Sequence, residues 1–200
     1  LLISLPASAQ YYKGELRFTD GHKLSGFIEP PALESKQVKF KDTEEGKKQK
    51  FSIEEIAGFT AINEDGNPFT YIATITTAQK PFKNELKILD NKVWLCLIYD
   101  GKIKIYDNYV NSSSFGSSGM MVSTSERVIY IKKETADLPQ FCFTTISGFS
   151  GGVYNYYKKA TEALLLLDCP NFKDLMVKED IKKNGYRRIG ELYDANCGKK

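Results

Sequence analysis

The feature that most constrains this chain is a change of hydrophobic period near Gly151-Gly152. From Tyr11 to Phe149 apolar and polar residues alternate mostly in twos, the spacing of half-buried strands. After Gly152 the apolar residues recur at helical spacing: Val153, Tyr156, Tyr157, Ala160, Leu164 and Leu167, then Phe172, Leu175 and Met176, then Tyr186, Ile189, Leu192 and Tyr193. Turn chemistry divides the first part into short pieces. Asp20-Gly21 and Asp100-Gly101 mark tight hairpins, Pro30-Pro31 stops a strand, and Glu44-Glu45-Gly46 and Asn63-Glu64-Asp65-Gly66-Asn67 read as turns. Strands are expected at Lys13–Phe18, Lys23–Ile28, Val38–Phe40, from Lys50, at Thr70–Thr77, Glu85–Leu89, Val93–Tyr99, Lys102–Tyr109 and Met121–Lys132. The Ser/Gly-rich stretch Asn111–Gly119 reads as a mobile loop. The fold class is α+β: a mainly antiparallel β body, barrel- or sandwich-like, followed by a helical segment over 150–200 that needs the body to cover its apolar stripes.

The β body, 10–149, contains an echo. Phe51-Ser52-Ile53-Glu54-Glu55-Ile56-Ala57-Gly58-Phe59 and Phe141-Cys142-Phe143-Thr144-Thr145-Ile146-Ser147-Gly148-Phe149 share the form F-x-[I/F]-x-x-I-x-G-F. The two Asp-Gly turns, and Val38-Lys39-Phe40 with Val128-Ile129-Tyr130, recur at similar offsets. The expectation is a related β unit used twice, over 11–60 and 92–149, as a paired sandwich or two small barrels; chance likeness among β-rich segments is the competing account.

Leu1-Leu2-Ile3-Ser4-Leu5-Pro6-Ala7-Ser8-Ala9 resembles the back half of a secretory signal: an apolar run, a Pro, then small residues that peptidase subsites accept, with cleavage before Gln10. A buried first strand is the other reading of the run. No stretch is long and apolar enough for a transmembrane helix, which needs about 18 residues. The expected location is outside the cytoplasm, periplasmic or at the cell surface. There the even set Cys96, Cys142, Cys169 and Cys197 is free to oxidise. Cys169 stands before Pro170 at a helix start, and Cys197 ends the helical tail on the face of Ile189 and Tyr193, so a helical hairpin would join these two. Cys96 and Cys142 sit in apolar strand-like runs and read equally as buried thiols or a second bridge.

Composition excludes more than it selects. Lys and Arg number 28 against 25 Asp and Glu, a net +3 with basic doublets scattered along the chain, so no nucleic-acid partner is expected. At 42% hydrophobic content the chain can fill a core. A single histidine and no CxxC pair leave no typical zinc centre, and neither a P-loop nor a dinucleotide fingerprint occurs; no cofactor is expected. Gly148-Phe149-Ser150-Gly151-Gly152 matches a nucleophile elbow, but His22 precedes it and no alternating βα units surround it, so Ser150 is better read as a helix cap. Glu54-Glu55 would serve hydrolysis only across a cleft from another carboxylate. Tyr154, the exposed tyrosine of its helix on this reading, and Tyr12 are the candidate ligand contacts, by ring stacking.

Lys13-Gly14 to Ile28, Phe51 to Phe59, Asp168-Cys169-Pro170, Leu175 and Glu191-Leu192-Tyr193-Asp194-Ala195-Asn196-Cys197 together resemble uncharacterised exported proteins of Bacteroidetes-type Gram-negative bacteria. That resemblance implies a periplasmic or surface location and brings no catalytic residues. The N-terminal strand pattern is also similar to small SH3-like or Sm-like barrels, which implies binding rather than catalysis. The function expected is a non-enzymatic binding or envelope-accessory module, its partner an envelope protein, a glycan or a small apolar ligand. The alternatives are a hydrolase using carboxylates or Ser150, and a carrier of an apolar ligand.

Overall fold

A computed structural model describes residues 10–32, 34–80, 85–115, 121–146 and 153–197. The chain is α+β, an antiparallel β body followed by a C-terminal helical segment, as its periodicity implies. It divides into two units, residues 1–73 and 74–200. The sequence divides it elsewhere, between body and tail, because a change of period marks a change of element and not a break in packing.

The first unit holds β1 (Tyr12–Phe18), β2 (Lys23–Glu29), β3 (Gln37–Lys41), β4 (Gln49–Ser52), β5 (Ile56–Ile62) and β6 (Pro68–Thr74), all paired antiparallel in the order β6-β5-β1-β2-β3-β4. Four strands run as a meander, and β5 then returns to the free edge of β1, with Leu16 opposite Phe59. One face of β1, β2, β3 and β5 turns inward, so Leu16, Phe18, Ile28, Val38, Phe40, Ile56 and Phe59 are buried. Gly14 and Gly26 face each other across β1 and β2. A Cβ on either would stand 2.3 Å from a backbone oxygen, that of Thr60 or Lys41, so two side-chain-free positions let the strands close in.

The run from Lys50 is not one strand. Ser52 ends β4, and Ile53-Glu54-Glu55 turn the chain into β5. Glu55 Oε2 accepts the Ser52 N–H at 2.7 Å, and the Glu55 N–H donates to the Ser52 carbonyl at 3.0 Å. In the second copy of the echo, β12 (Gln140–Ile146) runs straight through the matching residues. The two echo segments therefore differ where Ile53–Glu55 turn and Phe143–Thr145 stay in a strand.

The second unit holds the hairpin β7 (Thr77–Gln79) and β8 (Leu86–Ile88), and the meander β9 (Val93–Asp100), β10 (Ile103–Phe115), β11 (Met121–Lys133) and β12. Asp100 ends β9, and Gly101-Lys102 make the tight turn into β10. Asn111 to Phe115 continue β10, paired from Asn111↔Ser125 to Phe115↔Met121, where the sequence suggests a loop. Serine and asparagine are poor strand formers, but a two-stranded ribbon supplies each with a backbone partner.

Among the described residues four helices follow: α1 (Val153–Leu165), α2 (Phe172–Leu175), α3 (Lys178–Asn184) and α4 (Arg187–Asn196). They cover Ile103, Ile105, Ile129, Ile131 and Phe143 of the meander with Leu165, Phe172, Met176, Ile181, Ile189, Leu192 and Tyr193. The buried stripe of α1 is Thr161 and Leu165, flanked by Ala160 and Leu164. Leu167, expected on that stripe, is 89% exposed because α1 stops at Leu165 and the chain turns away. Side chains of Tyr156 and Tyr157 lie outside the described set.

Two devices pin the tail to the sheet. The Cys169 and Cys197 sulfurs are bonded, both residues 3% exposed, so the sequence-derived pairing is the one present; Cys96 and Cys142 form no second bridge. Asp194 of α4 is gripped by the β9–β10 turn: Tyr99 Oη donates to its Oδ2 at 2.7 Å and the Lys102 N–H to its Oδ1 at 3.0 Å. Lys102 Nζ donates to the carbonyls of Asp194 and Cys197, at 3.0 and 2.9 Å, satisfying acceptors that a helix end leaves open. Burial, and after it the carboxylate of Asp194, raise the Tyr99 hydroxyl to about 12. Gly190 lets the Tyr99 ring lie flat on α4.

Candidate functional site

The second unit carries a groove of about 500 Å³ between α1, β12 and the β7–β8 hairpin. Phe141 and Cys142 of β12 meet Ala160, Ala163 and Leu164 of α1, and Gln79 and Leu86 close the hairpin side. Two of the α1 residues lining the groove, Ala160 and Ala163, are alanines. Short side chains on a helix that cannot approach closer leave space, where leucines would fill it. Cys142 lies deep in this wall, 5% exposed, with Sγ 3.7 Å from the Thr161 hydroxyl. Burial pushes its thiol up to about 12, which disfavours the nucleophilic thiolate. Among the described residues Lys159 is the one cation of the lining; it is exposed and has no ion-pair partner there. The arrangement can take an apolar body and hold a negative end near Lys159.

A second polar feature sits on the helix-covered face of the same meander. Asp107 of β10 is buried, and Arg127 of β11 donates to its Oδ2 from Nε and from Nη2, both at 2.7 Å. The guanidinium lies between two tyrosine rings, 5.8 Å from the centroid of Tyr109 and 5.1 Å from that of Tyr186. Burial raises the Asp107 carboxyl above its ordinary value, and Arg127 pulls it partly back. The sequence does carry a signal for this pair. Ile103, Ile105, Asp107 and Tyr109 occupy one phase of β10, so a carboxylate continues an apolar face.

The residues singled out from the sequence fall in both units, Tyr12, His22 and Glu55 in the first and Tyr154 in the second. Tyr154, expected to be exposed, turns inward: it is half-buried, and its hydroxyl donates to the Met176 carbonyl at 2.6 Å. The reason is that it shares a helical face with Thr161 and Leu165. Tyr12 is half-buried in the first unit, its ring edge-on to Phe69 at 5.3 Å. His22 stacks on Phe18 with centroids 3.7 Å apart, and its Nδ1 lies 2.6 Å from Asp20 Oδ1. Hydrogen bonds from the His22 backbone and side chain hold the Asp20 carboxyl below its ordinary value. Glu55 is committed to its turn. In the 63–67 turn, Asn63 Oδ1 accepts the backbone N–H groups of Asp65 and Asn67, as its sequence suggests. Ser150 and the elbow around it, like the signal-like run 1–9, lie outside the described residues. Among the described residues no group of three His, Cys, Asp or Glu could hold a metal ion, and no helix is long and apolar enough to cross a membrane.

Fold and groove together define an α+β protein with a small apolar recess walled by a strand and a helix. No protein-family model matches the chain, and neither a curated protein nor a solved structure matches it.

Proposed function

We propose that this is an exported, non-enzymatic binding module that carries a small amphiphile, its apolar body in the α1–β12 groove and its anionic end by Lys159. The observation that carries the reading is the groove itself, about 500 Å³ of space lined by Phe141, Ala160, Ala163 and Leu164. At its rim stands one ammonium with no ion-pair partner among the described residues. Small-ligand sites have this character: concave, mostly apolar, with few polar groups, and of roughly 300–1,000 Å³. Export is supported by the signal-like run and by the Cys169–Cys197 bridge, which suits an oxidising compartment. The return of β5 to β1 after a four-strand meander is the strand order of small SH3-like barrels, which supports a second, protein-binding role for the first unit.

The test is a fluorescence titration with dansylaminoundecanoic acid, whose chain and carboxylate match the groove and its cation. Saturable binding is expected, abolished by Ala163→Trp and weakened about two- to fivefold by Lys159→Gln. A titration that does not saturate overturns the proposal, and so does an Ala163→Trp variant that binds as the parent does. Recovery of a periplasmic chain beginning at Gln10 would support export; the same chain found in cytosol with its leader intact would refute it.

A further inference from the structure

The Asp107–Arg127 pair leaves one edge of the guanidinium open. An arginine offers two forks of parallel N–H groups, one from Nε and Nη2, the other from Nη1 and Nη2. Both donors of the first fork close on Asp107 Oδ2. Among the described residues Nη1 has no protein acceptor, and the side chain is 33% exposed against 8% for that of Asp107.

The open edge does not stand alone. Tyr109, Arg127 and Thr145 face one another across β10, β11 and β12 as directly opposed residues. Opposed residues on antiparallel strands project to the same side of the sheet. Tyr109 is 47% exposed and Thr145 partly so, and neither hydroxyl has a partner among the described residues. Three donors therefore stand in a row, their spacing fixed by the strands. The middle one is locked by a buried carboxylate below and flanked by the Tyr109 and Tyr186 rings.

A simple structural ion pair explains part of this. It explains why Asp107 is buried without a large penalty. It does not explain an arginine used through only one fork, or an exposed tyrosine beside it where a smaller residue would suffice.

We infer that Tyr109, Arg127 and Thr145 form a second binding site, separate from the groove, for a carboxylate attached to a ring. The open fork of Arg127 receives the carboxylate, the ring lies along Tyr109, and the Thr145 hydroxyl donates to a ligand oxygen. Asp107 is a positioning residue: it fixes the guanidinium plane and never meets the ligand. Both a sugar acid and an aromatic acid carry this chemistry.

Titrating the full chain with glucuronate and with benzoate, followed by the Arg127 Nε–H resonance, tests the site. Methyl glucoside and benzamide serve as uncharged controls. At least one acid is expected to shift the resonance saturably while its control does not, and the tighter of the two identifies the ring as sugar or aromatic. Arg127→Lys keeps the charge but loses the planar fork, and should weaken binding about fivefold or more. Tyr109→Ala and Thr145→Val, which leave Asp107 paired, should each weaken it about two- to threefold and remain informative if the lysine variant does not fold. No saturable shift with either acid overturns the site. So do equal responses to an acid and its control, or unchanged affinity in both Tyr109→Ala and Thr145→Val.

Discussion

Replacing Cys169 and Cys197 together by alanine isolates what the bridge does for the second unit. The bond closes a loop of 28 residues, and the loop contains α2, α3 and α4. Constraining such a loop removes chain entropy from the unfolded state, about 12 cal/mol/K, or ~3.6 kcal/mol at 25 °C. The folded state loses little, since both residues are small and buried and the Asp194 clamp still holds the end of α4. With an unfolding entropy of about 2.1 cal/mol/K per residue over a unit of about 127 residues, the melting temperature should fall by ~13 °C. The assay is thermal unfolding by far-UV circular dichroism of parent and double variant in one buffer, with intact mass confirming that the parent lacks two hydrogens before reduction. A cooperative melt displaced by less than about 4 °C would refute the reasoning, because the loop-closure term alone exceeds that threefold.

Three further outcomes follow from named contacts. Gly190→Ala would set a Cβ 2.1 Å from Tyr99 Cδ1, and the ring is tethered through its hydroxyl to Asp194, so a loss of about 1–3 kcal/mol in chemical denaturation is expected. Tyr99→Leu in the same background should recover part of it. For Asp107 the folded value is raised, chiefly by burial, so its stabilising contribution is complete below the ordinary 3.8 and is lost as pH rises through the raised value. An Asp107→Asn variant should therefore gain on the parent as pH climbs from about 3 to 7; a parent that gains instead would show Arg127 outweighing burial. Cys142, with its thiol near 12 and 5% exposure, should resist iodoacetamide in the native protein and react only after denaturation, as read by peptide mass.

Much of the fold is legible without coordinates. Alternation and Asp-Gly turns place β1, β2, β9 and β10, and the change of period announces the helices. The Cys169–Cys197 pairing follows from helix ends that a hairpin must bring together. These are local facts, set by side-chain period and backbone preference over a few residues. Other features depended on what stood opposite. The turn at Ile53–Glu55 needs Glu55 to reach back to Ser52, and the strand at Asn111–Phe115 needs the ribbon partner Met121–Ser125. Tyr154 turns inward because it shares the α1 face of Thr161 and Leu165, which the sheet covers.

The groove and the Asp107–Arg127 pair lie furthest from the sequence. A recess arises from where two elements fail to fill the space between them, which no single segment encodes. An ion pair between β10 and β11 forms only once register and burial are set, and the tyrosine over its guanidinium comes from the entrance to α4. Period and turn chemistry are short-range quantities and determined the elements; desolvation and close packing act between residues distant in the chain, and only the tertiary structure decided them.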